Sequence, residues 1–193
     1  MTTTEPALIY LDVGHRGKPQ RLGDRGVVHG DLVEADLATR YALAADAELR
    51  RLGHDVVIGG VGRYEDRWAQ ADALGAIVYA QLHVNAGGGD RGEVFYDYRS
   101  IRRGAALAAR VALALDAAVP WSVWTRRCKP DDDGEVRDED YQEAFGCIAG
   151  VKAVALLVEP YFIDGPRVDD FVERLDVVGV ALAQGIAGWL AQP

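Results

Sequence analysis

The segment AIVYAQLHV, residues 76–84, decides the fold class of this chain, and ALIYLDV, residues 7–13, repeats its character. Both segments are short, and both consist almost entirely of apolar residues, several of them β-branched or aromatic. Such runs are typical of strands that are buried on both faces of a sheet. Further strands are predicted at 54–60, 92–98 and 151–159.

Helical segments separate these strands and are predicted at 31–53, 64–75, 101–118 and from about Arg167 to Leu190. In the first helix, Asp31 is suited to cap the start and Gly53 the end. In the last helix, apolar residues fall on one face: Val168, Phe171, Leu175, Val178, Leu182, Ile186 and Trp189. Strands that alternate with helices predict a single α/β domain over residues 1–193, with a mostly parallel sheet.

Composition and charge exclude some function classes. The chain has 193 residues, a length that suits one domain with a sizeable core. Its net charge of −9 argues against non-specific nucleic-acid binding, which requires a basic face. The apolar stretch at 104–120 contains Arg110 and Asp116, which favours a packed helix over a membrane span. The two cysteines, Cys128 and Cys147, are expected to be free thiols because no export signal is seen, with a disulfide between them as the alternative.

Four residues that can bind a metal lie at the ends of predicted elements. His15 follows the first strand, His83 closes the strand at 76–84, Glu159 closes the strand at 151–159, and Glu34 lies near the start of the first helix. Ligands of open α/β sheets bind beyond the carboxyl ends of the strands. Two histidines and one glutamate form a catalytic zinc set that leaves a fourth position for water. If Glu34 is the third ligand, Glu159 remains to act as a base.

Each of these residues also has a structural interpretation. The order Asp31-Leu32-Val33-Glu34 fits a capping box, in which Glu34 would reach back to the helix start. Either histidine alone could be an ordinary loop or core residue, and Glu159 alone could belong to a salt bridge. The metal interpretation depends on the four residues occurring together.

Four segments together resemble a known family: LDVGHRG at 11–17, GDLVE at 30–34, RYEDRWAQADALGAIVYAQLHVNA at 63–86, and ALLVEPYFID at 155–164. They resemble the zinc-dependent N-acetylmuramoyl-L-alanine amidases, the cell-wall amidases of bacteria and phage endolysins. The motifs occur in the order typical of that family and lie within 9–164, which is most of the chain.

The resemblance implies one zinc ion on His15, Glu34 and His83, with Glu159 as the catalytic residue. It also implies a twisted central sheet with helices on both faces. Because the single predicted domain spans residues 1–193, no separate wall-binding domain is expected. The reaction would be hydrolysis of the amide between N-acetylmuramic acid and L-alanine in peptidoglycan. Zinc would lower the pKa of its bound water to roughly 7, and Glu159 would take the proton and pass it to the leaving amine.

Some positions depart from the family pattern: Arg16, Asp66, Asp72, Gln81 and Tyr161. None of them is a predicted ligand, so the departures concern substrate contacts more than metal binding. Arg67 is predicted to pair with a carboxylate near the site or with substrate. Asn85, two residues beyond His83, is predicted to hold either the following loop or the substrate.

The remaining candidates have ordinary explanations. His29 matches no family ligand, and His54 is expected to be structural. The segment KPDDDGEVRDED at 129–140 is predicted to be a solvated acidic loop, because an EF-hand alignment places Lys129 at the first ligand position. Trp121 and Trp124 could stack on a sugar but are expected to pack in the core or at its rim.

Two alternative functions stay open from sequence: another zinc peptidase that cuts stem or free peptides, and a non-catalytic wall-binding module. The N-terminus lacks a basic segment followed by an apolar run, which predicts no signal peptide. We therefore expect synthesis in the cytoplasm and action on the wall after release or delivery, as in phage lysis or a phage-like particle. No nucleic acid or membrane partner is expected. An acidic domain is not attracted to anionic wall polymers, which favours a targeting or delivery partner.

Overall fold

A central β-sheet carries the fold in this computed structural model, which describes residues 5–16, 24–97, 100, 102–128 and 148–192. Its strands are β1 (Leu8–Val13), β4 (Asp55–Gly59), β5 (Val78–Leu82), β6 (Gly92–Asp97), β7 (Val123–Cys128) and β8 (Val154–Glu159). A short antiparallel pair, β2 (Val28–His29) and β3 (Leu32–Val33), lies outside this sheet.

The helices are α1 (Glu34–Arg51), α2 (Tyr64–Leu74), α3 (Arg103–Ala118), α4 (Val168–Glu173) and α5 (Leu175–Leu190). Within the described ranges, none of them is both long and apolar enough to cross a membrane. Two glycines bring α5 close to its neighbours. A Cβ on Gly179 would lie 2.3 Å from the Tyr41 carbonyl oxygen of α1, and one on Gly185 would lie 2.6 Å from Val111 Cα of α3.

The strand order across the sheet is β4-β1-β5-β8-β6-β7. The strands β4, β1, β5 and β8 are parallel, whereas β6 runs antiparallel to β8, and β7 is parallel to β6. The predicted mostly parallel α/β sheet is therefore confirmed. The reversal brings the first residues of β6 and β7 to the same sheet edge as the last residues of β1, β5 and β8. We call this end of the sheet, where Val13, Leu82, Glu159, Gly92 and Val123 lie, the site edge.

The two faces of the sheet bury different side chains, because successive strand residues point to opposite faces. One face packs on α1, α3 and α5 and contains Ile9, Leu11, Val78 and Leu156 among many others. The other face buries a smaller cluster that includes Tyr10, Tyr79, Phe95 and Leu157, with Ala71 of α2. Asp12, Gln81 and Glu93 continue the second face toward the site edge.

Three local predictions differ from the structure. The helix predicted at 31–53 begins at Glu34, because Leu32 and Val33 pair with β2 instead of joining the helix. The helix predicted at 167–190 is divided at Arg174, whose amide bonds back to the Asp170 and Phe171 carbonyls. Strand β7 (Val123–Cys128) is not among the strands predicted from the sequence. It is an edge strand with several exposed side chains, so it lacks a continuous apolar run.

Some sequence expectations fall on or beside undescribed residues. Cys128 is a buried free thiol, and burial raises its pKa to about 12, with the charges of Asp97 and Glu159 adding to the effect. Cys147 and the acidic segment 129–140 lie outside the described residues. Trp121 is buried and donates its indole N–H to the Pro160 carbonyl at 2.8 Å, so it is a core residue, as expected.

Candidate functional site

His15, Glu34 and His83 meet at the site edge. His15 follows β1, His83 follows β5, and Glu34 is the first residue of α1. One ligand atom from each lies within 4.8 Å of the others. His83 Nδ1 is 2.8 Å from Glu34 Oε1, and His15 Nε2 is 3.5 Å from Glu34 Oε2. The structure thus brings together three residues that the sequence placed 19 and 49 positions apart along the chain.

Two glycines make room for this cluster. A Cβ on Gly14 would lie 2.5 Å from Nε2 of His83, so the ring of His83 occupies the space a side chain would need. A Cβ on Gly26 would lie 2.3 Å from Glu34 Oε2. Gly14 itself does not have a positive φ. Instead His15 has the left-handed backbone, with φ 59°, a conformation that costs a non-glycine residue on the order of 1 kcal/mol.

Glu34 is held by the protein on both carboxylate oxygens. Oε2 accepts the Val27 amide at 2.9 Å, and Oε1 accepts the Val84 amide at 3.3 Å. Burial acts to raise the pKa of Glu34, but the hydrogen bond and charge of His83, with His15, outweigh it and lower that pKa. The capping-box interpretation is wrong, since no side chain caps α1 and Asp31 is exposed. The carboxylate points to the two histidines instead of back to the helix start.

The donor set fits a zinc ion. Zinc–ligand distances of about 2.0–2.2 Å place neighbouring ligand atoms of a tetrahedral site roughly 3.3–3.5 Å apart. The observed separations of 2.8 and 3.5 Å bracket that range. Nδ1 of His15 lies 3.0 Å from Asp24 Oδ1, which leaves Nε2 directed at the cluster. A carboxylate on the outer nitrogen is the usual support for a metal-binding histidine. Asp24 was missed because its loop carries no regular pattern.

The outer nitrogen of His83 also has a partner. Nε2 lies 3.3 Å from the Gln81 side-chain amide, and Tyr79 Oη lies 3.0 Å from the same amide. A metal on Nδ1 leaves the proton of a neutral imidazole on Nε2. In the structure the Gln81 amide nitrogen faces Nε2 of His83, and its amide oxygen accepts the Tyr79 hydroxyl. A metal on Nδ1 therefore requires this amide to turn over, so that its oxygen accepts the Nε2 proton. Gln81, noted from sequence only as a departure, is thus the residue that holds the His83 ring.

Arg67 and Asp12 form a fully buried ion pair behind Tyr79. Arg67 is 0% exposed, and its NH1 donates to Asp12 Oδ1 at 3.1 Å. Its other nitrogens donate to the carbonyls of Gly62, Arg16 and Gly60 at 3.1, 2.8 and 3.0 Å. Burial raises the pKa of Asp12, although the charge of Arg67 opposes this effect.

These contacts enclose the Arg67 guanidinium, while a contact between Arg67 and substrate stays a prediction. The alternative prediction, a carboxylate partner near the site, describes what is seen. Tyr79 donates its hydroxyl to the other oxygen of Asp12 and so joins the ion pair to Gln81.

Glu159 ends β8 next to the histidine strand. Leu82 pairs with Val158, and the His83 amide donates to the Val158 carbonyl at 3.0 Å, so His83 and Glu159 occupy equivalent positions on neighbouring strands. Glu159 is half-buried and lies outside the three-residue cluster. The arrangement leaves this carboxylate beside the candidate metal site without making it a ligand.

Asn85 supports the loop that follows His83. Its Nδ2 donates to Glu93 Oε2 at 2.9 Å, and its Oδ1 accepts the Ala86 amide at 2.8 Å. Asp164 accepts the Gly87 and Gly88 amides at about the same distance from the other side of the loop. Of the two roles predicted for Asn85, holding the loop is the one these contacts describe.

The other histidines lie apart from the cluster. His29 is exposed in β2, and the three-residue group does not include it. His54 is buried immediately before β4 and accepts the Ala7 amide at 3.4 Å, and burial lowers its pKa. The expectation that His54 is structural agrees with these contacts.

Comparisons with known proteins agree with this geometry. A family model described as N-acetylmuramoyl-L-alanine amidase matches residues 9–188. No curated protein sequence matches the chain significantly.

Solved structures share the fold. The chain is similar to N-acetylmuramoyl-L-alanine amidase AmiC2 of Nostoc punctiforme, with a TM-score of 0.78 at 21% identity, over 96% of this chain and 98% of that one. The catalytic domain of CwlV from Bacillus (Paenibacillus) polymyxa var. colistinus gives 0.75 at 20% identity, over 95% and 98%. The catalytic domain of the CD27L endolysin targeting Clostridia difficile gives 0.71 at 17% identity, over 94% and 97%.

At these identities the structural likeness shows the fold, while the family model covers nearly the whole chain and shows the family. The cluster of His15, Glu34 and His83 lies within the matched residues, as does Glu159. This chain therefore belongs to the N-acetylmuramoyl-L-alanine amidase family, a class of enzymes that degrade the peptidoglycan of the cell wall.

Proposed function

We propose that this protein is a zinc-dependent amidase that cleaves the bond between the lactyl carbonyl of N-acetylmuramic acid and L-alanine. His15, Glu34 and His83 hold the zinc ion, and Glu159 is the general base and acid. The observation that carries the proposal is the convergence of the three ligand atoms within 4.8 Å, with Glu159 alongside but outside the set.

When bound, zinc supplies Lewis-acid polarisation of the amide carbonyl and lowers the pKa of a water molecule. The remaining chemistry belongs to the side chains of this chain. Glu159 takes a proton from the attacking water and returns it to the amine of L-alanine as that group leaves. Because an amine is a poor leaving group until it is protonated, the second transfer is as necessary as the first.

The neighbours of the two histidines keep them in the protonation form that binds metal. Asp24 accepts from Nδ1 of His15, which leaves Nε2 as the donor atom. The Gln81 amide nitrogen lies beside the opposite ring nitrogen of His83, and once this amide turns over its oxygen does the equivalent there. Since both outer partners are anchored before zinc arrives, little ordering of the rings is needed on binding.

The test is mass spectrometry of purified peptidoglycan digested by the zinc-loaded protein, by the protein with a chelator, and by Glu159→Gln. We expect free stem peptides with an L-alanine amine from the wild type alone, and a loss of about 10²–10⁴-fold in rate for Glu159→Gln. Glu65→Gln, an exposed glutamate on α2, is the matched control and should be fully active.

Zinc content measured on the same samples separates the two roles. Glu159→Gln should retain one zinc per chain, while Glu34→Gln should lose it. Cuts within the stem peptide would contradict the amidase proposal and favour a zinc peptidase. Intact walls with zinc bound would favour a binding module.

A further inference from the structure

A platform of aromatic and basic side chains extends sideways from Glu159 along the site edge. Glu93 pairs with Glu159 across β6 and β8, and Trp124 pairs with Glu93 across β7 and β6. Directly paired strand residues project to the same face, and neighbouring strands lie about 4.8 Å apart. Trp124 thus stands roughly 10 Å from the proposed base, on the same face of the sheet.

Glu93 is buried and binds two guanidinium groups at once. Nε of Arg91 and Nε of Arg126 each donate to Oε1 of Glu93 at 2.8 Å, while Oε2 accepts from Asn85. One oxygen of Glu93 therefore accepts hydrogen bonds from two guanidinium groups. The hydrogen bond of Arg91 uses Nε, and among the described residues no hydrogen bond is formed by its two terminal amino groups.

Aromatic rings fix the orientation of Arg91. Its guanidinium carbon lies 4.9 Å from the centre of the Trp124 ring and 5.0 Å from that of Phe162. Arg126 lies 5.5 Å from the same tryptophan ring. Trp124 is 48% exposed, although it is one of the largest apolar side chains in the protein. Arg91 is held in place by this stacking, and 30% of its side chain is still exposed. Its guanidinium is therefore well suited to bind an anion.

We propose that Arg91, supported by Arg126 and Trp124, binds a carboxylate of the peptide stem. The planar fork of a guanidinium matches a carboxylate with two parallel hydrogen bonds, and the group stays charged at any physiological pH. An extended peptide advances about 3.3–3.6 Å per residue, so a platform reaching roughly 10 Å from Glu159 meets the first two or three stem residues. A neutral sugar would use the ring of Trp124 but not the paired guanidinium charges.

The inference rests on the proposed amidase function and adds a substrate preference to it. A stem whose second residue carries a free α-carboxylate, as γ-linked D-glutamate does, should be a better substrate than the same stem with a carboxamide there. Stems with the two chemistries differ by one group, so their comparison isolates this contact.

The experiment measures kcat/KM on two synthetic muropeptides that differ only in that acid or amide. We expect the wild type to prefer the acid by about 10-fold or more, the effect of one charged hydrogen-bonded pair. Arg91→Gln should lose that preference, because its kcat/KM should fall by about 10-fold more on the acid than on the amide. Arg40→Gln, at an exposed arginine paired with Asp176 on the helical side, is the matched control and should keep the preference.

Equal rates of the wild type on the two substrates would overturn the inference while leaving the amidase proposal intact. Equal loss on both substrates in Arg91→Gln would show that Arg91 merely holds the loop, and would also overturn it. If neither substrate is cut, the amidase proposal fails, and binding decides the inference. The acid dipeptide L-alanyl-γ-D-glutamate should then shift the Trp124 indole NMR signal at lower concentration than its amide, and the absence of that difference would refute the carboxylate site.

Discussion

Replacing Arg67 tests whether this residue supports the site from within or contacts substrate. The structure predicts that Arg67→Met damages stability and leaves substrate affinity almost unchanged, because the guanidinium is 0% exposed. A substrate-binding arginine would show the opposite result, a normal melting temperature with a raised KM.

The expected loss follows from the contacts. Arg67→Met leaves the Asp12 carboxylate buried without its cation, which costs about 3–5 kcal/mol in proteins. Three backbone carbonyls also lose a donor. For a chain of this size each kcal/mol lowers the melting temperature by about 2–4 °C, so a fall of roughly 6–20 °C is expected.

The loss should depend on pH in a defined direction. Burial already raises the pKa of Asp12, and Arg67 is the strongest of the influences that lower it. Without Arg67 the folded chain holds a proton that the unfolded chain releases above its ordinary pKa of about 3.9. The deficit of Arg67→Met should therefore be smallest below that pH and should grow as the pH rises toward 8.

The assay is thermal unfolding from pH 4 to pH 8, with Arg40→Met as the matched control. Arg40 makes an exposed ion pair with Asp176, and such pairs contribute about 0–1 kcal/mol. If Arg67→Met does not fold, Asp12→Asn combined with Arg67→Met should recover most of the stability, since replacing both partners of a buried pair is often neutral. A melting temperature of Arg67→Met within about 2 °C of the wild type would refute the reasoning.

Three further outcomes follow from other parts of the structure. Gly14→Ala should lower zinc affinity by about 10-fold or more, because the new Cβ would lie 2.5 Å from Nε2 of His83. Competition with a zinc-binding dye measures this affinity. An unchanged affinity would mean that the His83 ring can move at little cost. In a Cys147→Ser background, Cys128 should react with a thiol reagent only after unfolding, because burial raises its pKa to about 12, and rapid labelling of the native protein would contradict this. Asp164→Asn should speed hydrogen exchange at the Gly87 and Gly88 amides, whose hydrogen bonds Asp164 accepts. The Gly88 hydrogen bond first, and then that of Gly87, lower the pKa of Asp164 below 3.8, so in the wild type the protection should be lost only as the pH falls through the lowered pKa.

Much of the fold was predictable because the signals are local. The segment 76–84 is almost entirely apolar, and a strand that is covered on both faces requires such a composition. That His15, His83 and Glu159 would lie near one another was also predictable, because each follows or ends a predicted strand and parallel strands present their carboxyl ends at one edge of the sheet. Strand β7 was missed because an edge strand can expose alternate side chains and so loses the apolar run.

The roles of several side chains were not predictable because they depend on contacts between distant segments. The pattern around Glu34 fits a helix cap as well as a ligand, and the choice is made by Val27, Val84 and His83, which come from elsewhere in the chain. Position 14 requires a glycine because the ring of His83, which follows β5, occupies the space that a Cβ would need.

The sequence by itself determined an α/β chain of the amidase family, with histidines and glutamates at the ends of its elements. The alternation of strands with helices and the motifs at the strand ends each depend on residues that are close together in the chain. Only the tertiary structure decided which side chains face one another. It buried Arg67 against Asp12, placed Gln81 on His83, and reversed β6 so that Glu93 and Trp124 join the edge that holds Glu159. The physical reason is that hydrogen bonds and ion pairs depend on distance in space, which no local pattern of residues encodes.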